Sequence, residues 1–453
     1  MSSKSTTKYP FPINSSIDRK RMLDLVKDNF MLNRSAVNPD TDILTRRLAE
    51  ALQGRILESQ SGSMCLKWTI PDNWNVRKGQ LKTKSGKIIA DFDDHPMYLW
   101  THSVSFSGVI SKQELIEKHI LTNPRRPDEF LYHYMHGYQE GKKEWGFSLP
   151  YNTVKSLNED EYVVEIDTDL DNDNTLKLVD AHIPGKNEDT IFIMAHTCHP
   201  GQVGDGMACI AVANELFFWL KEQKNLKYSY RFIYGPEYWG GATWLEHAPA
   251  KDISNMKFGV FLDMVSTHEP LGFQDSMQAN SLFDKVFLNV FKSHKEVFIH
   301  KEFRGLWGND ETFYNGAGFK IPTLGMGRGM HREYHYNTDN LENMSLYNME
   351  ETVWILMRII EVMESDYIPV LSYMGPLYLS RYGLFINKHE DYDGYINSEK
   401  IQALADGKLS CFDIAHKLQL DFYFVRNFFD KMLEKDLISK VERNPKESDS
   451  GFL

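Results

Sequence analysis

After Glu165 the sequence alternates short apolar runs with helical ones, and three of the apolar runs stop at an ionisable side chain. The runs are TLKLVDAHIP, TIFIMAH, SYRFIYG and KFGVFLDMVS, separated by helical stretches over 211–220 and 242–247. This alternation predicts an α/β fold: a central mixed sheet flanked by helices. TIFIMAH ends on His196, Glu237 follows YRFIYG and Pro236, and GVFLD ends on Asp263. A titratable group at the tip of a buried strand is costly unless something binds it. Open α/β sheets collect their ligand sites at these carboxyl ends.

Taken singly, each residue has a plainer reading. His196 and His199 fit ordinary loop histidines, Asp205 in its GDG turn fits a helix cap, and Glu237 fits a carboxylate at a helix start. Asp263 fits a salt-bridged strand end, and His335 in REYHYNTDNLENM fits a structural histidine. Together they point to a cation, because neutral imidazole and carboxylate are the donors that zinc and manganese take. A formal net charge of −12 agrees with cation binding and argues against a phosphate-backbone partner.

The order His, Asp, Glu, Asp, His over AHTC, GDG, GPE, LDMV and YHYNTD resembles the co-catalytic di-zinc aminopeptidases, across about 190–343. More closely, with HTCHP, WTIPDNWNVR, EWGFSLPYN and YHYNTDNL, the chain resembles bacterial aminopeptidase-like proteins with an inserted β domain and a C-terminal winged helix. The resemblance implies one or two Zn2+ ions, with Asp205 bridging, His196 and Asp263 completing one site, and Glu237 and His335 the other. It implies hydrolysis of an amide or peptide bond by metal-activated water. It also implies an unusual, cis peptide after Asp205, which Gly206 would tolerate.

Two positions depart from that family. Pro236 stands where the general base is expected, and proline cannot accept a proton; Glu311, beside Asp310 in GNDETF, is the substitute candidate. Cys198 stands where an Asp orients the ligand His196, so second-shell support weakens unless Cys198 or His199 contacts metal directly. The same site is compatible with deacylation or amide cleavage on a sugar or small metabolite, for which Tyr238, Trp239 and Trp307 would suit a ring. A third reading is a non-catalytic metal-binding scaffold.

The expected organisation has a catalytic domain at 1–60 and 149–368, a mainly β insert at 61–148, and a winged-helix-like domain at 375–453. Helical spacing through Met22, Leu25, Val26 and Phe30, then Leu44, Leu48 and Leu52, predicts two helices within 17–57. The third helix of the last domain carries Arg426 and Lys431 against Asp421, Asp430 and Glu434, so protein contact or core closure is expected there ahead of nucleic acid. Four scattered cysteines, an N-terminus without an apolar core and no apolar run of about 18–20 residues predict a cytoplasmic protein with no membrane partner. The expected partners are a peptide or small amide substrate and, in the assembly, a homo-oligomer.

Overall fold

The computed structural model describes residues 17–134, 138–139 and 141–443. The expectations for the N-terminal segment and for the domain end beyond 443 lie outside these residues. Eight strands form the central sheet: β1 Arg55–Gln60, β2 Thr175–Ile183, β3 Thr190–His196, β4 Ser229–Gly235, β5 Met256–Asp263, β6 Leu271–Gln274, β7 Ile299–Lys301 and β8 Thr323–Arg328. Their spatial order is β1-β2-β4-β3-β5-β8-β6-β7. β4, β3, β5 and β8 are parallel to their neighbours within this block, whereas β1–β2, β2–β4 and β8–β6 pair antiparallel. This is the predicted mixed α/β sheet. Every residue of β3 and β4 is buried, as expected of parallel strands covered on both faces.

Helix Ala208–Glu222 follows β3 and is apolar nearly all round, so it is a core helix and not a surface one. Val203–Glu222 is long and apolar enough to cross a membrane by length and composition, which amends the expectation of no such run; 94% of its apolar window is buried inside the protein. The two predicted early helices are Arg19–Lys27 and Pro39–Leu52. The second begins where Asn38 accepts bonds from Asp40 N and Thr41 N, with Pro39 at the first helical position. Both join the sheet layer. Arg21 pairs with Glu215 at 2.8 Å, and Lys177 on β2 donates to both oxygens of Asp42 at 2.9 Å.

The β insert departs from its expected limits. Strand Glu161–Asp171 pairs along its length with Asn73–Thr83 and also with Phe106–Ser111, in a four-stranded antiparallel sheet completed by Ile88–Asp91. The insert sheet therefore extends past residue 148, and β1 rejoins the core through β2. The cause is packing: Tyr162, Val164 and Ile166 share one apolar cluster with Trp74, Leu81 and Phe147. Chain texture changes at 148, but the hydrophobic face of 161–171 belongs to the insert.

A second compact unit takes, among the described residues, Gln278–Phe298 and 354–443. Within it, helices Tyr392–Leu404, Cys411–Leu418 and Phe422–Leu433 precede strand Ile438–Glu442, which pairs antiparallel with Tyr367–Leu371. Its sheet thus begins before the expected residue 375, and 278–298 leaves the expected catalytic domain. On the third helix Arg426 is only 14% exposed and sits 3.4 Å from Asp430.

Candidate metal centre

His196 is the last residue of β3 and fully buried. Its Nε2 lies 3.0 Å from Asp205 Oδ1 and 3.4 Å from Asp263 Oδ1, the latter at the end of the neighbouring β5. On the other side of Asp205, Oδ2 lies 3.0 Å from His335 Nε2. Parallel pairing of β3 and β5 brings the two strand tips together, and the turn between β3 and the core helix brings Asp205 between them.

That turn contains no cis peptide, and there is none among the described residues, so the expectation of one after Asp205 is corrected. The bend is instead made by Gly206 at φ 111°. A Cβ there would come 3.1 Å from Cys198 O and 3.3 Å from the His196 ring, so glycine meets both the dihedral and the close approach. The turn that carries Glu237 is equally tight: a Cβ on Gly235 would stand 2.8 Å from Gly240 Cα.

Glu237 is placed at the edge of this group. Its Oε2 accepts from Tyr138 Oη at 2.9 Å and lies 3.8 Å from His199 Nε2. Three triads of donor atoms converge: His196–Asp205–Asp263, His199–Asp205–His335 and His196–Cys198–His199. Four of the five predicted ligands fall in them; Glu237 does not, and His199 and Cys198 do. Cys198 Sγ sits 3.6 Å from His196 Nδ1, where an orienting partner was expected, and accepts from Glu237 N at 3.2 Å.

The proposed acidic pair is placed differently. Asp310 accepts from Tyr238 N at 3.0 Å and Gly241 N at 2.7 Å, capping helix Trp239–His247 across space. Glu311 is fully buried; both its oxygens accept from Asn309 N, at 3.1 and 2.9 Å, and Gln274 Nε2 donates to one at 3.2 Å. These bonds tie the Glu311 carboxyl to Asn309 of its own loop and to Gln274. The loop reaches the site through Asn309, whose Nδ2 lies 3.5 Å from Asp263 Oδ2.

Two residues unforeseen as functional support the centre. The buried guanidinium of Arg34 donates to the carbonyls of Thr197, Cys198, His199 and Gln202 at 3.0, 2.6, 2.5 and 2.7 Å. Asp339 accepts from Gly204 N at 2.7 Å and Asp205 N at 3.0 Å, fixing the peptide that carries the central carboxylate. Asp339 lies in the YHYNTD motif, which was a usable signal; nothing in the sequence around Arg34 singles it out. The insert contributes as well: Tyr132 N donates to His335 O at 2.8 Å, and Leu131 forms an antiparallel bridge with Tyr336.

Electrostatics follow from burying this many donors together. Burial opposes charge on His196, yet the neighbouring Cys198, Asp205 and Asp263 raise its proton affinity well above the usual imidazole range. Burial, with His196 and His335 nearby, drives His199 well below it. Burial would raise Asp205, but the surrounding histidines hold it well below the carboxylate range. Glu237, 17% exposed, is pushed up to about 8 mainly by burial.

These donors fit a divalent metal. Buried Asp205 Oδ2 and His335 Nε2 face one another at 3.0 Å without hydrogen-bond alignment to any partner. Such lone-pair convergence is what a cation resolves.

The family described as Domain of unknown function (DUF4910) matches residues 23–366, about three quarters of the sequence. The chain belongs to that family. A curated protein of Clostridium acetobutylicum, provisionally named a polysaccharide biosynthesis protein with aminopeptidase-like domain, is 26% identical over 440 residues, covering 94% of this chain and 98% of the relative. The crystal structure of a provisionally named peptidase from Clostridium acetobutylicum matches with a TM-score of 0.85 at 24% identity, over 93% of this chain and 96% of that one. BSAP, a zinc aminopeptidase from Bacillus subtilis, matches with a TM-score of 0.55 at 14% identity, over 78% of this chain and 95% of that one. The fold of this family member is zinc-aminopeptidase-like.

Proposed function

We propose that the chain is a zinc-dependent hydrolase of an amide or peptide bond, aminopeptidase-like in its chemistry. The observation that carries this reading is Asp205, whose Oδ1 and Oδ2 each lie 3.0 Å from an imidazole of a different triad. A carboxylate offered to both sides is the bridge that a two-metal hydrolase requires. His196 and Asp263 would hold one ion, and His335 with its neighbours would hold the other. Zinc bound there supplies Lewis-acid polarisation of the scissile carbonyl and a lowered pKa for water. The chain buries His196, His199, Asp205 and Asp263 and so keeps these donors from bulk solvent.

A second reading, deacylation on a sugar or small metabolite, draws on a cavity that shares Tyr138, the hydroxyl donor to Glu237. A cavity of about 500 Å³ is lined by Trp68, Trp239, Tyr138, His102, Lys142 and Asn172. Tyr238, expected to suit a ring, instead stacks on Trp68 with centroids 5.1 Å apart, whereas Trp239 faces the cavity. Aromatic walls with a few polar groups suit a ring, and the curated relative's name mentions polysaccharide biosynthesis. A cytoplasmic location is supported by four buried, free cysteines.

Metal analysis of the purified chain, followed by a screen of aminoacyl and N-acyl substrates, tests the proposal. About two zinc ions per chain and release of a free amine are expected. A chain that takes up no zinc overturns it. Zinc without hydrolysis of any amide leaves the scaffold reading.

A further inference from the structure

The ligand set implied by the sequence leaves two features of the site without a role. Glu237 belongs to none of the three triads, and His199 belongs to two. His199 Nδ1 lies 3.4 Å from Asp205 Oδ1, its ring lies 5.2 Å from that of His335 at 30°, and donor atoms of His199, Asp205 and His335 all lie within 4.8 Å of one another. His199 is also 5% exposed and held at φ 72°. A non-glycine residue in that region stores strain unless its surroundings impose it. Here Arg34 imposes it by gripping the carbonyls on both sides of the His199 peptide. Glu237, by contrast, is engaged by the hydroxyl of Tyr138.

We infer that His199 is a metal ligand of this chain, completing the second site with Asp205 and His335 in the place that the sequence pattern gives to Glu237. The inference rests on the two-metal reading above and alters its ligand set: three imidazoles serve two ions instead of two. Glu237 then stands outside the metal shell, with its Oε2 3.8 Å from His199 Nε2, beside Pro236 where the expected base is missing. Neutral imidazole is the form that ligates zinc. The rival role for His199 is to orient His196, whose Nδ1 is 3.2 Å away.

The test is zinc stoichiometry by mass spectrometry on the full chain and on His199→Asn and Glu237→Gln, each checked for folding by melting without metal. His199→Asn should hold about one zinc fewer per chain, and Glu237→Gln should hold as many as the parent. If His199→Asn keeps the full complement, or Glu237→Gln loses an ion, the assignment is overturned. Should His199→Asn fail to fold, zinc-edge X-ray absorption of the unaltered protein decides the matter. An average of 1.5 imidazoles per zinc supports the inference, and an average of one overturns it. If the parent binds no zinc at all, the two-metal reading itself has failed, which no outcome above would mimic.

Discussion

Replacing Arg34 by Met removes the clamp on the loop that delivers Cys198 and His199 and leads into Asp205. Four carbonyls lose their donor, those of Thr197, Cys198, His199 and Gln202. A hydrogen bond from a charged group contributes about 1.5–3 kcal/mol. Against this stands the cost of burying the ion: burial brings the Arg34 guanidinium down to about 10, a cost of about 3 kcal/mol. Four bonds at the lower end of the range, less that cost, leave a net loss of about 3 kcal/mol. For a large domain this corresponds to a fall in Tm of roughly 6–12 °C. Arg34→Lys keeps the charge but not the planar fork, and should recover only part of the loss. Thermal melting of metal-free protein measures the stability, and zinc titration measures the loop's effect on loading. An Arg34→Met variant that melts within about 2 °C of the parent and loads zinc normally would refute the reasoning.

Asp339→Asn leaves one acceptor for the two N–H groups of Gly204 and Asp205, so zinc affinity should fall by about 10–100-fold in a chelator competition; unchanged affinity would show that the turn holds itself. Glu311→Gln leaves one oxygen to accept from Asn309 N and Gln274 Nε2 and sets its NH2 group against Asn309 N, and should cost about 1–3 kcal/mol in urea unfolding with zinc content intact. A variant of normal stability and full zinc content that had lost turnover would instead restore Glu311 as the base. Burial raises Glu361, in the second unit, from 4.5 to about 7, against Arg358 and Tyr423, so the folded state prefers its neutral form. Its contribution is therefore fully present below about pH 4.5 and is lost as pH rises through about 7, by about 3 kcal/mol. Glu361→Gln should flatten that slope in unfolding curves taken across the window; an unchanged slope would mean that the carboxylate stays charged.

The residues legible in the chain were those whose position follows from local pattern. His196 and Asp263 end apolar strands, and a buried parallel strand has one carboxyl tip, so the chain's pattern alone places both at one sheet edge. The order of elements and the glycine after Asp205 follow from the same short-range rules of periodicity and dihedral freedom. What sequence could not decide was which way side chains turn once neighbours compete for them. Glu311 adjoins the right loop but is captured by Asn309 N and Gln274. His199 reads as a loop residue until Arg34, 165 positions away, fixes its carbonyl. The insert boundary moved because 161–171 buries its apolar face on Trp74 and Phe147, a choice between two sheets of similar pattern. Strand tips are set by covalent order and period, whereas the second site's ligands depend on long-range hydrogen bonds that only the folded chain brings into reach.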